Sequence, residues 1–253
     1  MPTTSTLPRT AARWAGLGYL AIFVFAVFAN FLALGAVLDP SDAGATARAL
    51  TEHESTFRLG TIAFLAIFLV DIVVSWALYV LFRDVHGDLA VLAAWFRLSY
   101  TVMLGVALVF LYIALQLNGT RAGAPRGQDG LVLLALQAFD FTWVAGLAAF
   151  GLHLVLVGRL LLLTGGRALR LLGTVLAVAG GAYVLDTVAH VAMADYESHA
   201  SVFLAIVAVP SVLGELALTG WLLLVATGRA PVPTRPSNET GAAGRGERLV
   251  AAR

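Results

Sequence analysis

The residues able to do chemistry in this chain lie inside long apolar runs. They are the acids Asp71, Asp140, Asp186 and Glu215, the base Arg97, the histidines His153 and His190, and the amide Asn30. A charged side chain at a bilayer centre costs about 2.5–3.5 kcal/mol on insertion scales, so it normally faces a bundle interior or a wet cavity. Three kinds of chemistry are open to such a set. An unpaired acid can carry a proton, an acid–arginine pair can open and close, and histidines with carboxylates can ligate a metal that activates water.

Depth separates these residues into two groups, at about 1.5 Å of rise per residue. Asp71 lies about 16 Å from the Arg-rich end of its run, and Glu215 lies at nearly the same depth. Arg97 enters its run by about 12 Å from that same end, and its long side chain reaches further. The short turn at residues 83–88 makes the second and third runs antiparallel neighbours, so Asp71 and Arg97 are expected to form an ion pair. His153 falls in the same half, giving an inner group of Asp71, Arg97, His153 and Glu215. Asp140, Asp186 and His190 form an outer group. Asp186 and His190 share a helix face at i, i+4, with Tyr183 on the same stripe.

Polar stripes mark the inward faces. They are Asp71, Ser75 and Tyr79; Arg97, Tyr100 and Thr101; and Ser211, Glu215 and Thr219. Pro210, one turn before Glu215, is expected to free backbone carbonyls toward a cavity. Gly173, Ala177 and Gly181 recur every four residues and should form a close helix contact. Plainer readings stand beside the chemical ones. Asp71–Arg97 can be a structural pair, Asp186–His190 a polar patch at the membrane interface, and His153 a packing histidine.

The elements that position these groups follow from composition. The 253 residues are 60% hydrophobic and 12% charged, with mean hydropathy +0.88. Soluble domains have about 25% charged residues, so a soluble enzyme, a disordered chain and a disulfide scaffold are excluded. There is no Cys, hence no thiolate site. There is no Lys either, which excludes a Schiff-base or Walker lysine. All 16 basic residues are Arg, a usage that reads as GC-rich bacterial codon bias. With net charge +1 and no basic stripe, a nucleic-acid partner is not expected. The expected partner is the lipid bilayer.

Crossing about 30 Å of hydrocarbon takes about 20 apolar residues. Six runs qualify, at residues 14–38, 60–82, 89–117, 139–163, 169–189 and 201–227. The fold class is therefore all-α, an integral membrane bundle of six transmembrane helices. Twelve Arg fall on one set of faces and four on the other, so both termini are expected in the cytoplasm of a cell (inner, plasma) membrane. Residues 1–13 read as a cytoplasmic segment, 14–228 as a single transmembrane domain and 229–253 as a disordered tail. The first run is longer than a signal-peptide core and reads as an uncleaved helix. Residues 46–57 are expected to form a short interfacial helix, and residues 131–138 either extend the fourth helix or lie along the interface. No internal repeat emerges, which weighs against an inverted-repeat transporter.

Known signatures are missing: no His-Glu-x-x-His helix, no Walker loop, no Gly-x-Ser-x-Gly elbow and no Arg-rich voltage sensor. Several short patterns are nevertheless in a familiar order. They are Arg13-x-x-Gly16-x-x-Tyr19-Leu20, Phe57-Arg58-Leu59-Gly60 with Asp71 and Leu78-Tyr79, Phe96-Arg97-Leu98, Gly151-Leu152-His153 with Gly158, Leu172-Gly173 with Gly180-Gly181-Ala182-Tyr183, and Glu215 with Trp221-Leu222-Leu223 and Gly228. The set resembles the bacterial membrane family catalogued as domain of unknown function 4386, over residues 10–228. The resemblance implies a six- or seven-span membrane protein of unassigned activity, and implies that Asp71, Arg97, His153 and Glu215 belong to the family pattern. One departure is Ala168-Leu169-Arg170 where the family has a Pro-Arg step, which predicts a different turn before the fifth span.

Three functions fit the residues. The first is a small proton-linked transporter or permease, with Glu215 titrating, Asp71–Arg97 switching and His153 relaying protons. The second is a non-catalytic membrane partner in which the polar residues serve packing. The third is an intramembrane metal-dependent hydrolase, short of histidines. No resident metal and no particular cofactor is implied, and whether the chain is an enzyme stays open.

Overall fold

A computed structural model describes residues 7–119 and 128–235. Helix α1 (Pro8–Val27) continues through a π-helical segment, Phe28–Leu34. It is followed by α2 (Ala43–Glu52), α3 (Glu54–Phe82), α4 (Gly87–Gly119), α5 (Gln128–Leu163), α6 (Arg167–Ala192) and α7 (Tyr196–Ala226). All but α2 contain a stretch long and apolar enough to span a membrane. Their outward faces carry large apolar side chains such as Phe31, Ile62, Trp95, Val102, Leu171 and Leu204, as lipid requires.

The six long helices form a closed ring in the order α1, α3, α4, α5, α6, α7. Being even in number, they bring residues 7 and 235 to one end, here called the terminal end. One apolar core fills that end, with Ala15, Leu78, Phe82, Leu154, Leu176 and Leu222. A second fills the opposite end, with Leu50, Phe64, Leu104, Leu111 and Phe139. Asp71 lies between Ile67 of the second core and Val74 of the first, and Arg97 between Leu104 and Ala93. The charged residues thus sit at the seam between two dry cores.

Helix ends differ from the apolar runs in an ordered way. Helix α5 begins at Gln128, and α3 begins at Glu54. Residues 131–138 therefore extend the helix rather than lie along the interface. Asp140 consequently stands about 18 Å inside α5, not near its end. Backbone hydrogen bonding continues past the hydrocarbon wherever polar side chains tolerate it. The short helix occupies Ala43–Glu52 rather than 46–57, because Asp42 accepts from the Ala45 N–H at 2.8 Å and caps its start. Asn118 of α4 donates to Thr51 of α2 at 3.1 Å, tying this helix to the bundle.

Helices α5 and α6 pack through glycine in two matching places. A Cβ on Gly151 would meet the Gly180 carbonyl oxygen at 2.5 Å, and one on Gly173 would meet that of Gly158 at 2.6 Å. The pairs 151–180 and 158–173 are two turns apart on each antiparallel helix. Gly173 and Ala177 thus belong to the contact as expected, but Gly181 does not. Nothing lies within 4 Å of a Cβ there, and Gly180 takes its place. The turn before α6 is made by Gly165 and Gly166, both at positive φ (79° and 84°), which suits glycine and needs no proline. At the other end of the chain, Pro233 is buried and Val232 packs on the terminal-end core. The remainder of the expected disordered tail, from residue 236, lies outside the described residues.

Candidate functional site

Antiparallel packing of α3 and α4 brings Asp71 and Arg97 together. Arg97 Nε and Nη2 donate to Asp71 Oδ1 at 2.9 and 2.5 Å. Both residues are 1% exposed. Thr101 Oγ lies 2.5 Å from Asp71 Oδ2 and 2.8 Å from the Arg97 carbonyl, so its single proton bonds one of them at a time. One turn of α3 away, Ser75 donates to the Ala94 carbonyl at 3.0 Å. The guanidinium plane is covered by Tyr19 and Phe150, with ring centroids 4.6 and 5.3 Å from Arg97 Cζ.

Arg97 Nη1 serves the other side. It donates to Tyr19 Oη at 2.6 Å and points at His153 Nε2 at 3.2 Å, while His153 Nδ1 lies 2.9 Å from the Ala93 carbonyl. Arginine has no acceptor, and neither has a carbonyl a proton to give. Nε2 therefore accepts and Nδ1 donates, which makes His153 a neutral imidazole with both nitrogens committed. A relay through His153 would have to break one of these bonds. Asp71, Arg97 and His153 form one sealed and fully satisfied cluster.

Glu215 is not in that cluster. It faces a cavity of about 560 Å³ bounded by α1, α5, α6 and α7. Ser211, Glu215 and Thr219 all line it, as their i, i+4, i+8 spacing requires. Glu215 makes no ion pair among the described residues. Asp186 lines the same cavity from α6 and accepts from Tyr196 Oη at 2.7 Å. Glu215 and Asp186, which sequence depth assigns to different groups, therefore share one space. His190 packs against Tyr196 with the rings tilted by 46° and centroids 4.3 Å apart, and does not itself line the cavity. Asp140 does not line the cavity.

Tyr19 is the residue that reasoning from charge passed over. It lines the cavity and touches the sealed cluster. Because its oxygen accepts from Arg97, its own proton is free to point elsewhere. The signal available in the sequence was its place in the Arg13-x-x-Gly16-x-x-Tyr19 pattern. Ser211 was legible only as part of a stripe. It is 3% exposed, and its Oγ has no hydrogen-bond partner, although the Tyr183 hydroxyl lies nearby.

The crevice has a physical origin. Near the terminal end α1 and α7 are in contact, and a Cβ on Gly16 would strike Leu223. Beyond Tyr19 and Thr219 the two helices part. The π-helical turn widens α1 there, with Gly35 N–H bonding the Asn30 carbonyl five residues back at 2.8 Å. Asn30 and Phe31 are thereby directed to the cavity. Phe31, Val212 and Leu216 line the cavity and are 75%, 48% and 44% exposed on the lipid-facing surface. The space thus opens sideways between α1 and α7. Pro210, one residue before Ser211, leaves the Ile206 carbonyl without its helical donor, although Ile206 itself does not line the cavity.

Among the described residues no group of three or more His, Asp or Glu is placed to hold a metal ion. The hydrolase reading finds no ligand set there.

Fold and site together define a polytopic membrane protein with a sealed charge cluster and a side-opening acidic cavity. The chain belongs to the family described as Domain of unknown function (DUF4386), whose model matches residues 14–226. No curated protein and no solved structure matches it.

Proposed function

We propose that this protein is a small proton-linked transporter or permease of the bacterial inner membrane, with both termini cytoplasmic. The observation that carries the reading is Glu215, a carboxylate without an ion-pair partner, inside the bundle and facing a cavity large enough for a small organic molecule. With Arg97 of the sealed cluster left out, eleven Arg in the segments of the terminal-end side against four opposite support the orientation.

Glu215 is the proton-carrying group, and solute and proton compete for it. The groups that face it are Tyr19 from α1, Tyr183 and Asp186 from α6, and, through Tyr19, the Asp71–Arg97 pair of α3 and α4. Tyr19 replaces His153 as the link between pair and cavity. Its hydroxyl donates to ionised Glu215 or to solute, and its bond from Arg97 holds it in position. A change at Glu215 is thereby felt at the Asp71–Arg97 pair, which serves as the switch between open and closed arrangements of α1 and α7.

The test uses proteoliposomes with an internal pH dye and three added solutes of different charge: benzyltrimethylammonium, benzenesulfonate and sorbitol. At least one is expected to drive proton movement with the native chain and none with Glu215→Gln. Traces equal to those of empty vesicles for all three would overturn the reading. The second reading, a non-catalytic membrane partner, draws on the sealed cluster, in which every polar group is satisfied. It predicts that Glu215→Gln changes no flux while Asp71→Asn lowers stability.

A further inference from the structure

The composition of the cavity wall is one-sided. Two carboxylates, Glu215 and Asp186, line it, and among the described residues no Arg or His does. Arg97, the basic side chain behind the wall, is already matched by Asp71 and reaches the cavity only through the Tyr19 hydroxyl. Aromatic rings supply much of the remaining wall: Tyr19, Phe23, Phe31, Trp143, Tyr183 and Tyr196. Carboxylates beside aromatic faces are the environment that desolvates an organic cation at least cost, through charge pairing and ring quadrupoles. An anion would meet two like charges there.

A further observation points to a ligand. Ser211 Oγ is buried against the cavity one turn from Glu215, beside the Tyr183 hydroxyl but without a well-formed hydrogen bond to it. A buried hydroxyl left unpaired costs about 1–3 kcal/mol, so the N–H of an arriving amine is favoured at that position, whereas a quaternary ammonium gains only the charge pairing and the ring faces. The route is also visible. The mouth between α1 and α7 is rimmed by exposed apolar side chains, so an entering molecule comes from lipid and brings an apolar body.

We infer that this cavity binds an amphipathic organic cation, an amine or quaternary ammonium on an apolar body, which enters from the bilayer between α1 and α7 and pairs with Glu215. The inference deepens the transport reading, and rests on it for movement of the cation but not for its binding.

The test compares two isosteres on the full chain in detergent. Benzyltrimethylammonium carries the charge, and neopentylbenzene has carbon in place of nitrogen. Calorimetric titration is expected to show saturable binding of the cation, at least about tenfold tighter than its neutral isostere. Glu215→Gln should weaken the cation about tenfold or more and leave neopentylbenzene unchanged. Equal binding of the two isosteres overturns the inference, as does cation binding untouched by Glu215→Gln. The comparison on the native chain needs no variant, so a Glu215→Gln protein that fails to fold does not block it. The two readings separate cleanly. Saturable cation binding without proton movement in vesicles keeps the site and rejects transport. Proton movement driven by benzenesulfonate, with no cation binding, keeps transport and rejects the site.

Discussion

Replacing Asp71 by Asn keeps the shape of the sealed cluster and removes one charge, which makes its consequence calculable. Arg97 is 1% exposed and directs two of its nitrogens at Asp71 Oδ1, at 2.9 and 2.5 Å. Two unit charges about 4 Å apart at an effective dielectric of about 20 attract by about 4 kcal/mol. Removing one partner of a buried pair typically costs about 3–5 kcal/mol, because the survivor stays buried and unmatched. Asp71→Asn, Asp71→Leu and Arg97→Met are each expected to lose that amount. The double variant Asp71→Leu/Arg97→Met leaves no charge behind. It instead strands Tyr19 Oη and His153 Nε2, at about 1 kcal/mol or more each, while Thr101 keeps the backbone carbonyl of residue 97. Its loss should therefore fall short of the summed losses of Asp71→Leu alone and Arg97→Met alone by about 4 kcal/mol or more, which is the coupling of the pair. The assay is equilibrium unfolding in mixed micelles with rising SDS fraction, followed by circular dichroism. Single variants within about 1 kcal/mol of the native protein would refute the reasoning, since that is the behaviour of a water-exposed pair.

Other outcomes follow from the same geometry. Tyr19→Phe removes one of the two acceptors of Arg97 Nη1 and should lower unfolding stability by about 1–3 kcal/mol, while also slowing any Glu215-dependent proton movement; a purely structural tyrosine would change only the first. Gly180→Val drives a branched side chain into the Gly151 backbone and should separate α5 from α6, read as loss of a disulfide between cysteines introduced across that contact, whereas Gly181→Val, which meets open space, should keep it. Gly166→Ala should cost about 1–3 kcal/mol, because φ 84° with ψ 136° is backbone space that side-chain-bearing residues rarely adopt, measured in the same SDS titration.

The number of spans and the Asp71–Arg97 pair were legible in the sequence for one reason. Both depend on arithmetic along a helix, and a short turn forces its two helices to be neighbours at matched depth. Helix ends were less legible, since apolar runs mark hydrocarbon and hydrogen bonding runs on beyond it, as Gln128 and Glu54 show. Depth alone grouped Glu215 with Asp71, Arg97 and His153. The ring order of the helices decides otherwise and sets Tyr19 between them. The state of His153 depends on two partners from another helix, Arg97 and the Ala93 carbonyl, and no spacing within its own helix reveals them. The glycine contact shows the same limit. A four-residue rule selects Gly181, whereas the partner helix, with its own glycines seven residues apart, selects Gly180. The cavity itself is a product of how α1 and α7 part at the π-helical turn, a feature with no periodic signature.

The central claim is that Glu215 couples an organic cation to a proton. The most direct measurement is luminal pH in proteoliposomes when benzyltrimethylammonium is added outside. The account predicts alkalinisation with the native chain, as the cation enters and a proton leaves, and none with Glu215→Gln. Alkalinisation of equal size with Glu215→Gln, or none with the native chain, would contradict it.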